Sequence, residues 1–239
     1  MMNKTYAFSD LHGNYNLLKS ILNYCDSKDH LFYLGDAIDR GEDNLKTLLT
    51  LLNDKRVTFL KGNHEDFLLN YLLLTDKWEK QIFINYWKGN GGEATLKDLS
   101  LCNKNNKDFL IKNLKEKTLL KFNYKNKNGQ TILLSHAGGN LETKINSESY
   151  LWSRKHFEMP WNEREYPNTY IIHGHTPVQY FNNFSNSQEK LFIYKYANNH
   201  KFDIDLGTFF SKQTVLLNLD TFKEIYFREN KKGEVIIDA

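Results

Sequence analysis

His30-Leu31-Phe32-Tyr33-Leu34-Gly35-Asp36-Ala37-Ile38-Asp39-Arg40-Gly41 is an apolar run that breaks into a glycine-bounded polar cluster. The run has the length and aromatic content of a buried strand, and the cluster begins where that strand should end. The same arrangement stands on either side of it. Thr5-Tyr6-Ala7-Phe8 leads into Ser9-Asp10-Leu11-His12-Gly13, and Val57-Thr58-Phe59-Leu60 leads into Gly62-Asn63-His64-Glu65 after a single lysine. Helical spacing fills the intervals: Leu17, Leu18, Ile21 and Leu22, then Leu45, Leu48, Leu49 and Leu52, then Phe67 to Leu74. A β-α-β-α-β order with roughly 30 residues per unit predicts a parallel or mixed sheet covered by helices. Active groups in such sheets collect beyond the carboxyl ends of the strands, where all three clusters fall.

Farther along, the period changes. Residues 78–117 read as helices interrupted at Lys88-Gly89-Asn90-Gly91-Gly92 and near Cys102-Asn103-Lys104-Asn105. Lying between two cluster-bearing segments, this stretch fits either a cap over the site or a plain helical layer, and Gly91-Gly92 reads most simply as a helix-helix turn. Leu119–Tyr124 and Thr131–Leu134, joined by a Lys-Asn-Lys-Asn-Gly turn, predict a hairpin. Tyr170–Ile172, Leu191–Tyr194, Thr214–Leu217 and Glu224–Phe227 are further strand candidates. Helices lead and strands follow, which predicts an α/β fold of two mixed sheets packed as a sandwich with helices on the outer faces. With no repeat, linker or boundary, residues 1–239 are expected to form one domain.

Bulk properties narrow the class. A chain of 239 residues that is 40% hydrophobic can bury a substantial core. No stretch approaches the ~20 apolar residues of a membrane helix, and no signal-like block precedes the first strand, so a cytoplasmic protein without a membrane partner is expected. Cys25 and Cys102 are too few for a disulfide framework or a cysteine metal site. A net charge of +3 with no long basic stripe argues against a nucleic-acid partner. Arginine is confined to Arg40, Arg56, Arg154, Arg164 and Arg228, so an arginine inside a motif is less readily incidental.

Ser135-His136-Ala137-Gly138 and His173-Gly174-His175-Thr176-Pro177 repeat the strand-then-cluster pattern with histidine. A lone Asp or Asn after a strand is ordinarily a turn former or a helix cap. Five such clusters in one chain argue jointly for a metal site built from strand ends. Asp10 and His12, two apart at a strand end, can point the same way. Grouped with Asp36 they make one site, and Asp36, Asn63, His136 and His175 make a second that shares the Asp36 carboxylate. The mixed nitrogen and oxygen donors, without thiolate, suit two divalent transition-metal ions, Mn2+ first, with Fe, Zn, Co or Ni as alternatives. A metal pair of this kind polarises a phosphoryl oxygen and activates water for in-line attack. That leaves His64 as the acid for the leaving oxygen, Asp39 to orient it, and Arg40 and Arg154 as phosphate clamps, with Asn63 also within reach of substrate. His173 reads as a core or supporting histidine, and His30, His156 and His200 as surface or structural.

Asp-x-His, Gly-Asp-x-x-Asp-Arg-Gly and Gly-Asn-His-Glu, in this order, resemble the calcineurin-like metallophosphoesterases. The likeness is to the phosphoprotein-phosphatase branch, in its compact bacterial and bacteriophage serine/threonine form. It runs from Asp10 to Asp205-Leu206-Gly207-Thr208, and implies a four-layer fold with the metal, acid and clamp roles named above. Pro177, standing where many broader relatives carry one more histidine ligand, fits that branch. Lys61 departs from the arginine that often precedes Gly-Asn-His-Glu, and a lysine there lacks the bidentate fork. The resemblance implies a phosphoserine/phosphothreonine phosphatase acting on a phosphorylated protein or small phosphorylated substrate. Leu151-Trp152-Ser153-Arg154 is equally similar to the symmetrical bis(5'-nucleosyl)-tetraphosphatases, in which Trp87, Trp152 or Tyr180 could stack on a base. A non-catalytic phospho-ligand scaffold is the remote third reading. Nothing in the sequence sets the oligomeric state.

Overall fold

A computed structural model describes residues 3–139, 147–181 and 190–239. The first half alternates as its periodicity predicts: β1 (Thr5–Phe8), α1 (Tyr15–Tyr24), β2 (His30–Tyr33), α2 (Asn44–Asn53), β3 (Val57–Leu60) and α3 (Asn63–Leu73). Then come α4 (Lys77–Gly89), α5 (Glu93–Ser100) and α6 (Lys104–Glu116), broken at the expected places. Short polar side chains start several of these helices by satisfying their first N–H groups. Asn14 accepts from Leu17 N–H, Asp76 from Trp78 and Glu79 N–H, and Asn103 from Asn106 N–H.

The second half supplies β4 (Thr118–Leu119), β5 (Lys121–Lys125), β6 (Thr131–Ser135), α7 (Ser147–Leu151), β7 (Thr169–His173), β8 (Tyr194–Tyr196), β9 (Lys201–Asp203), α8 (Thr208–Ser211), β10 (Gln213–Asn218), β11 (Glu224–Glu229) and β12 (Val235–Asp238). Two strand expectations need correction. Leu119–Tyr124 is not one hairpin arm, because the chain changes sheets at Leu120. Thr118 and Leu119 pair with β3, whereas Lys121–Lys125 pairs antiparallel with β6. The strand expected at Leu191–Tyr194 begins only at Tyr194; Leu191 and Ile193 fill the core without joining a ladder. Apolar alternation records burial, and here burial comes without strand pairing. β9 and β12 escaped notice because one is a three-residue strand with charged ends and the other a short edge.

Among the described residues the strands form two mixed sheets, ordered β12-β11-β10-β1-β2-β3-β4 and β5-β6-β7-β9-β8. β1 to β4 are parallel in the first sheet, and β6, β7 and β9 are parallel in the second. Side-chain alternation sorts the core into two layers. Tyr6, Phe8, Leu31, Tyr33 and Phe59 meet Leu17, Leu48, Leu68, Trp87 and Leu114 of the helices. Ala7, Phe32, Leu34 and Leu60 face the other way and meet Ile132, Leu134, Ile172 and Phe202 between the sheets. Both faces of β1 and β2 are therefore buried, so a one-residue slip would exchange two differently shaped layers. Over the outer face of the second sheet, a short 3₁₀ turn at Lys155–Phe157 packs the rings of His156 and Phe157 on His173. No helix among the described residues is long and apolar enough to cross a membrane.

The loops that follow the parallel strands interlock at one end of the sandwich. Asp10 N–H donates to Gly35 O at 3.0 Å, His12 N–H to Asp36 O at 3.0 Å and Gly174 N–H to His136 O at 2.8 Å. These cross-loop bonds bring segments far apart in sequence to one place.

Candidate metal centre and active site

Backbone strain is concentrated in these loops. Twelve non-glycine residues among those described have φ in the left-handed region, and Asp10, His12, Asp36, Asp39, Arg40 and His175 are six of them. Such conformations cost of order 1 kcal/mol or more each and persist only where surrounding bonds hold them. Glu65 is one such anchor: its carboxylate accepts from Asp36 N–H (2.8 Å), Ala37 N–H (2.8 Å) and Gly62 N–H (2.9 Å). Burial and the nearby Asp36 charge push the Glu65 carboxyl up to about 6 against those three donors. Gly62 is required by close approach, since a Cβ there would overlap Asp36 Oδ1.

Two sets of ligand atoms converge, each within 4.8 Å: His12, Asp36 and His64 in one, Asp36, His136 and His175 in the other. Asp36 belongs to both. Asn63 joins the second set, its Oδ1 lying 2.9 Å from His136 Nε2 and 3.0 Å from His175 Nδ1. Backbone carbonyls fix two tautomers, with His12 Nδ1–H donating to Ile38 O at 2.8 Å and His136 Nδ1–H to Leu34 O at 2.7 Å. Each Nε2 is thereby turned toward the cluster as a ligand atom. Asp10 belongs to neither set. Its carboxylate faces the Ser9 hydroxyl and His175 N–H, 3.1 Å from Oδ2, and burial together with Asp205 raises its pKa well above the ordinary carboxylate range.

This donor set fits cations. Burial alone would lower His136, yet the Asp36 and Asp10 carboxylates push it up to about 10, so the cluster recruits positive charge in the form of a proton. On the other side, the Arg40 guanidinium donates to His12 Nε2 at 2.8 Å and to His64 Nε2 at 3.1 Å. His175 is held well below its ordinary pKa by burial and by His136, and its buried Nε2 has no hydrogen-bond partner among the described residues. Lone pairs converging on shared carboxylate oxygens suit divalent ions of the N/O-binding kind.

Beside the cluster, His64 Nδ1–H donates to Asp39 Oδ2 at 2.6 Å. Asp39 is fully buried and accepts also from Trp87 Nε1–H (2.6 Å) and Thr95 Oγ1–H (2.5 Å). Trp87 and Thr95 come from α4 and α5, and Gly91 O between them accepts from Arg40 N–H at 2.9 Å. The helical segment therefore walls the His64–Asp39 pair, and Gly91-Gly92 is the helix-helix turn expected of it.

Residues 4–179 match the family model described as calcineurin-like phosphoesterase. The chain belongs to that family. Serine/threonine-protein phosphatase 2 of Salmonella typhimurium is 40% identical over 90 residues, 36% of this chain and 38% of that protein. The symmetrical bis(5'-nucleosyl)-tetraphosphatase of Buchnera aphidicola subsp. Schizaphis graminum is 32% identical over 137 residues, 56% of this chain and 44% of that one. The matches thus span less than half the length of these curated relatives. In fold, the chain superposes on the cold-active protein-tyrosine phosphatase of a psychrophilic Shewanella with a TM-score of 0.61 at 17% identity, covering 99% of this chain and 80% of that one.

Around the centre of this calcineurin-like phosphoesterase lie two clefts. One, of about 470 Å³, is lined by Arg40, Arg154, His175, Tyr180, Phe209 and Phe210. The other, of about 810 Å³, is lined by His12 and shares Phe209 and Phe210 with the first. Arg154 Nε–H donates to Thr176 Oγ1 at 3.0 Å, which brings this expected clamp beside His175. Lys61 takes no such place: its ammonium lies 2.7 Å from Asp66 Oδ1 in an ion pair with α3. Trp87 is fully buried, which removes it from the residues able to stack on a base. His156 and His200 are buried rather than at the surface, and His173 is a supporting histidine bonded to Tyr196. Glu65 and Thr95 were not foreseen as site residues, and Trp87 only as a surface for a base, not as a donor to Asp39. Only the Glu in Gly-Asn-His-Glu carried a signal, as a third helical residue able to reach back to the cap.

Proposed function

We propose that this chain is a dinuclear metal-dependent phosphoprotein phosphatase that hydrolyses phosphoserine and phosphothreonine monoesters. Asp36, Asn63, His136 and His175 would hold one ion, and His12 and Asp36 the other, which Asp10 would join by turning from its bond to His175 N–H, with Mn2+ the first choice. Such ions, when bound, supply Lewis-acid polarisation of phosphoryl oxygens and lower the pKa of water. The protein does the rest. Arg40 and Arg154 line the smaller cleft with guanidinium groups that can grip the non-reacting phosphoryl oxygens. His64 offers Nε2 toward the same space; once protonated there in place of the bond from Arg40, it delivers that proton to the departing oxygen, while Asp39 holds the ring by Nδ1.

The observation that carries the monoester reading is the bonding of Asp39. Three buried donors converge on one carboxylate so that one imidazole stays oriented. A serine or threonine alkoxide is a poor leaving group and needs such an acid, whereas a nucleoside phosphate departs readily without a proton. The charge of the larger cleft supports the same choice. Its cations Lys212, Arg228 and Lys231 are matched by Glu42, Asp43 and Glu229, a poor wall for a polyphosphate chain. Exposed Tyr180, Phe209 and Phe210 favour the second reading, a dinucleoside polyphosphate hydrolase whose bases stack there. Turnover of a phosphoserine peptide and of diadenosine tetraphosphate, each with Mn2+, separates the two. The monoester reading expects the peptide to be preferred; a strong preference for the dinucleotide defeats it.

A further inference from the structure

Phe209 and Phe210 stand next to each other on α8 with 41% and 51% of their surface exposed. Two neighbouring phenylalanines held in water forgo apolar burial. The turn that presents them is nevertheless closely tied. Gly207 N–H donates to Asp205 Oδ1 at 2.8 Å, Thr208 Oγ1–H to Gln213 O at 2.9 Å and Gln179 Nε2–H to Leu206 O at 2.9 Å. Left-handed residues bracket it, Gly207 at φ 62° and Lys212 at φ 55°, and a Cβ on Gly207 would overlap the Phe210 ring. These bonds fix the turn that presents the rings.

That place is where the two clefts adjoin. Both are lined by Phe209 and Phe210; one also holds Arg40, Arg154 and His175, and the other holds His12. A substrate longer than its phosphoryl group, seated at the arginines and continuing toward the larger cleft, must cross this aromatic pair. We infer that Phe209 and Phe210 form a specificity ridge that packs an apolar side chain adjacent to the phosphorylated residue of a polypeptide substrate. The inference rests on the phosphoprotein reading above and gives it a sequence preference. An extended peptide, advancing about 3.3 Å per residue, carries a neighbouring side chain beyond the phosphoryl pocket within one or two residues. Equal numbers of cations and carboxylates in the larger cleft suit peptide amides and mixed side chains better than a polyanion.

The test compares phosphoserine peptides that differ only in having phenylalanine, leucine or glycine on either side of the phosphoserine. Each kcat/KM is divided by the same preparation's turnover of p-nitrophenyl phosphate, which reads the integrity of the centre. The wild type is expected to favour an apolar neighbour by about tenfold on one side, the size of discrimination apolar contacts supply. Phe209→Ala with Phe210→Ala should erase that ratio, and Phe209→Leu or Phe210→Leu should keep part of it. Equal kcat/KM for all the peptides in the wild type overturns the ridge while leaving the phosphatase reading intact, and so does a preference that survives the double alanine variant. Turnover of p-nitrophenyl phosphate and diadenosine tetraphosphate with none of any peptide overturns the phosphoprotein reading and the ridge with it. Because the wild type alone can decide, a double variant that fails to fold does not protect the inference.

Discussion

His64 Nδ1 lies 2.6 Å from Asp39 Oδ2, at the entrance to α3, and the carboxylate is itself held by Trp87 and Thr95 from the helical segment. The consequence is a division of labour within one small volume. Asp36 is shared by the two ligand sets, while Asp39, three residues on, turns away from them toward the wall. Sharp left-handed turns at Asp36, Asp39 and Arg40 make that separation possible within five residues of chain.

Replacing the acid should expose which oxygen it serves. His64→Asn is expected to lower turnover of a phosphoserine peptide by about 10²- to 10⁴-fold, the usual range for a positioned proton donor. p-Nitrophenyl phosphate, whose phenolate leaves without help, should lose far less. Parallel kinetics with the two substrates make the comparison. Equal losses would mean that His64 acts through metal retention or folding, which metal analysis of the same preparation would reveal.

The wall around Asp39 predicts a positioning effect. Trp87→Phe and Thr95→Val each remove one hydrogen bond to a buried carboxylate while keeping most of the side-chain volume. Loss of a hydrogen bond to a charged group is worth about 1.5–3 kcal/mol. Part of that loss should appear in kcat, with KM little changed, because the ring of His64 loses orientation rather than substrate contact. A change confined to melting temperature, with kcat intact, would make both residues purely structural.

Much of this centre could be read from the chain because strand, turn and ligand lie within a few residues of one another. Asp10, His12, Asp36, Asn63 and His64 each follow a periodic apolar run, so pattern alone puts them at strand ends. What pattern could not supply was orientation. The Asp10 carboxylate bonds His175 N–H outside both convergent sets, and His64 lies among their atoms while bonding Asp39. The bonds of Trp87 and Thr95 to Asp39 were invisible because they cross 48 and 56 residues from a segment whose own periodicity speaks only of helix packing. Leu191 and Ile193 misled for the opposite reason, since a buried irregular segment carries the same apolar alternation as a strand.

Lys61 and Arg154 should separate cleanly. The Lys61 ammonium is paired with Asp66, whereas Arg154 lines the smaller cleft with Arg40. Arg154→Ala is expected to raise KM for phosphopeptide by about tenfold, consistent with loss of a charge-assisted phosphate contact. Lys61→Ala should cost about 1 kcal/mol or less of stability, as for a partly exposed ion pair, and leave KM within roughly twofold. Steady-state kinetics on both variants check this; a tenfold KM change in Lys61→Ala would place that lysine at the phosphate.

Metal content should follow the sharing of Asp36. Purified with excess Mn2+ and desalted, the wild type is expected to hold two equivalents, His175→Ala about one, and Asp36→Asn fewer than one. Ion binding to the folded chain alone should also raise the melting temperature with metal concentration, and least in Asp36→Asn. Elemental analysis and thermal melts give the two readouts. Two equivalents retained by Asp36→Asn would remove Asp36 as the shared ligand.

Acid stability should depend on a buried histidine away from the ligand sets. His156 packs on His173 and bonds Tyr196 at 2.7 Å, and burial together with His173 holds it down to about 2. In the unfolded chain the same imidazole titrates near 6.5. As pH falls, the unfolded state takes up the proton first, so the stability present above about 6.5 is lost progressively toward 2. The slope for one such group is about 1.4 kcal/mol per pH unit once the unfolded histidine is fully protonated. His173, held down to about 3 chiefly by burial, acts in the same direction. His156→Gln cannot take up that proton, and its unfolding free energy between about pH 6 and pH 4.5 should lose one proton's worth of pH dependence relative to the wild type. Urea titrations across that range measure the difference; parallel curves for the two proteins would show that His156 is protonated in the fold as readily as outside it.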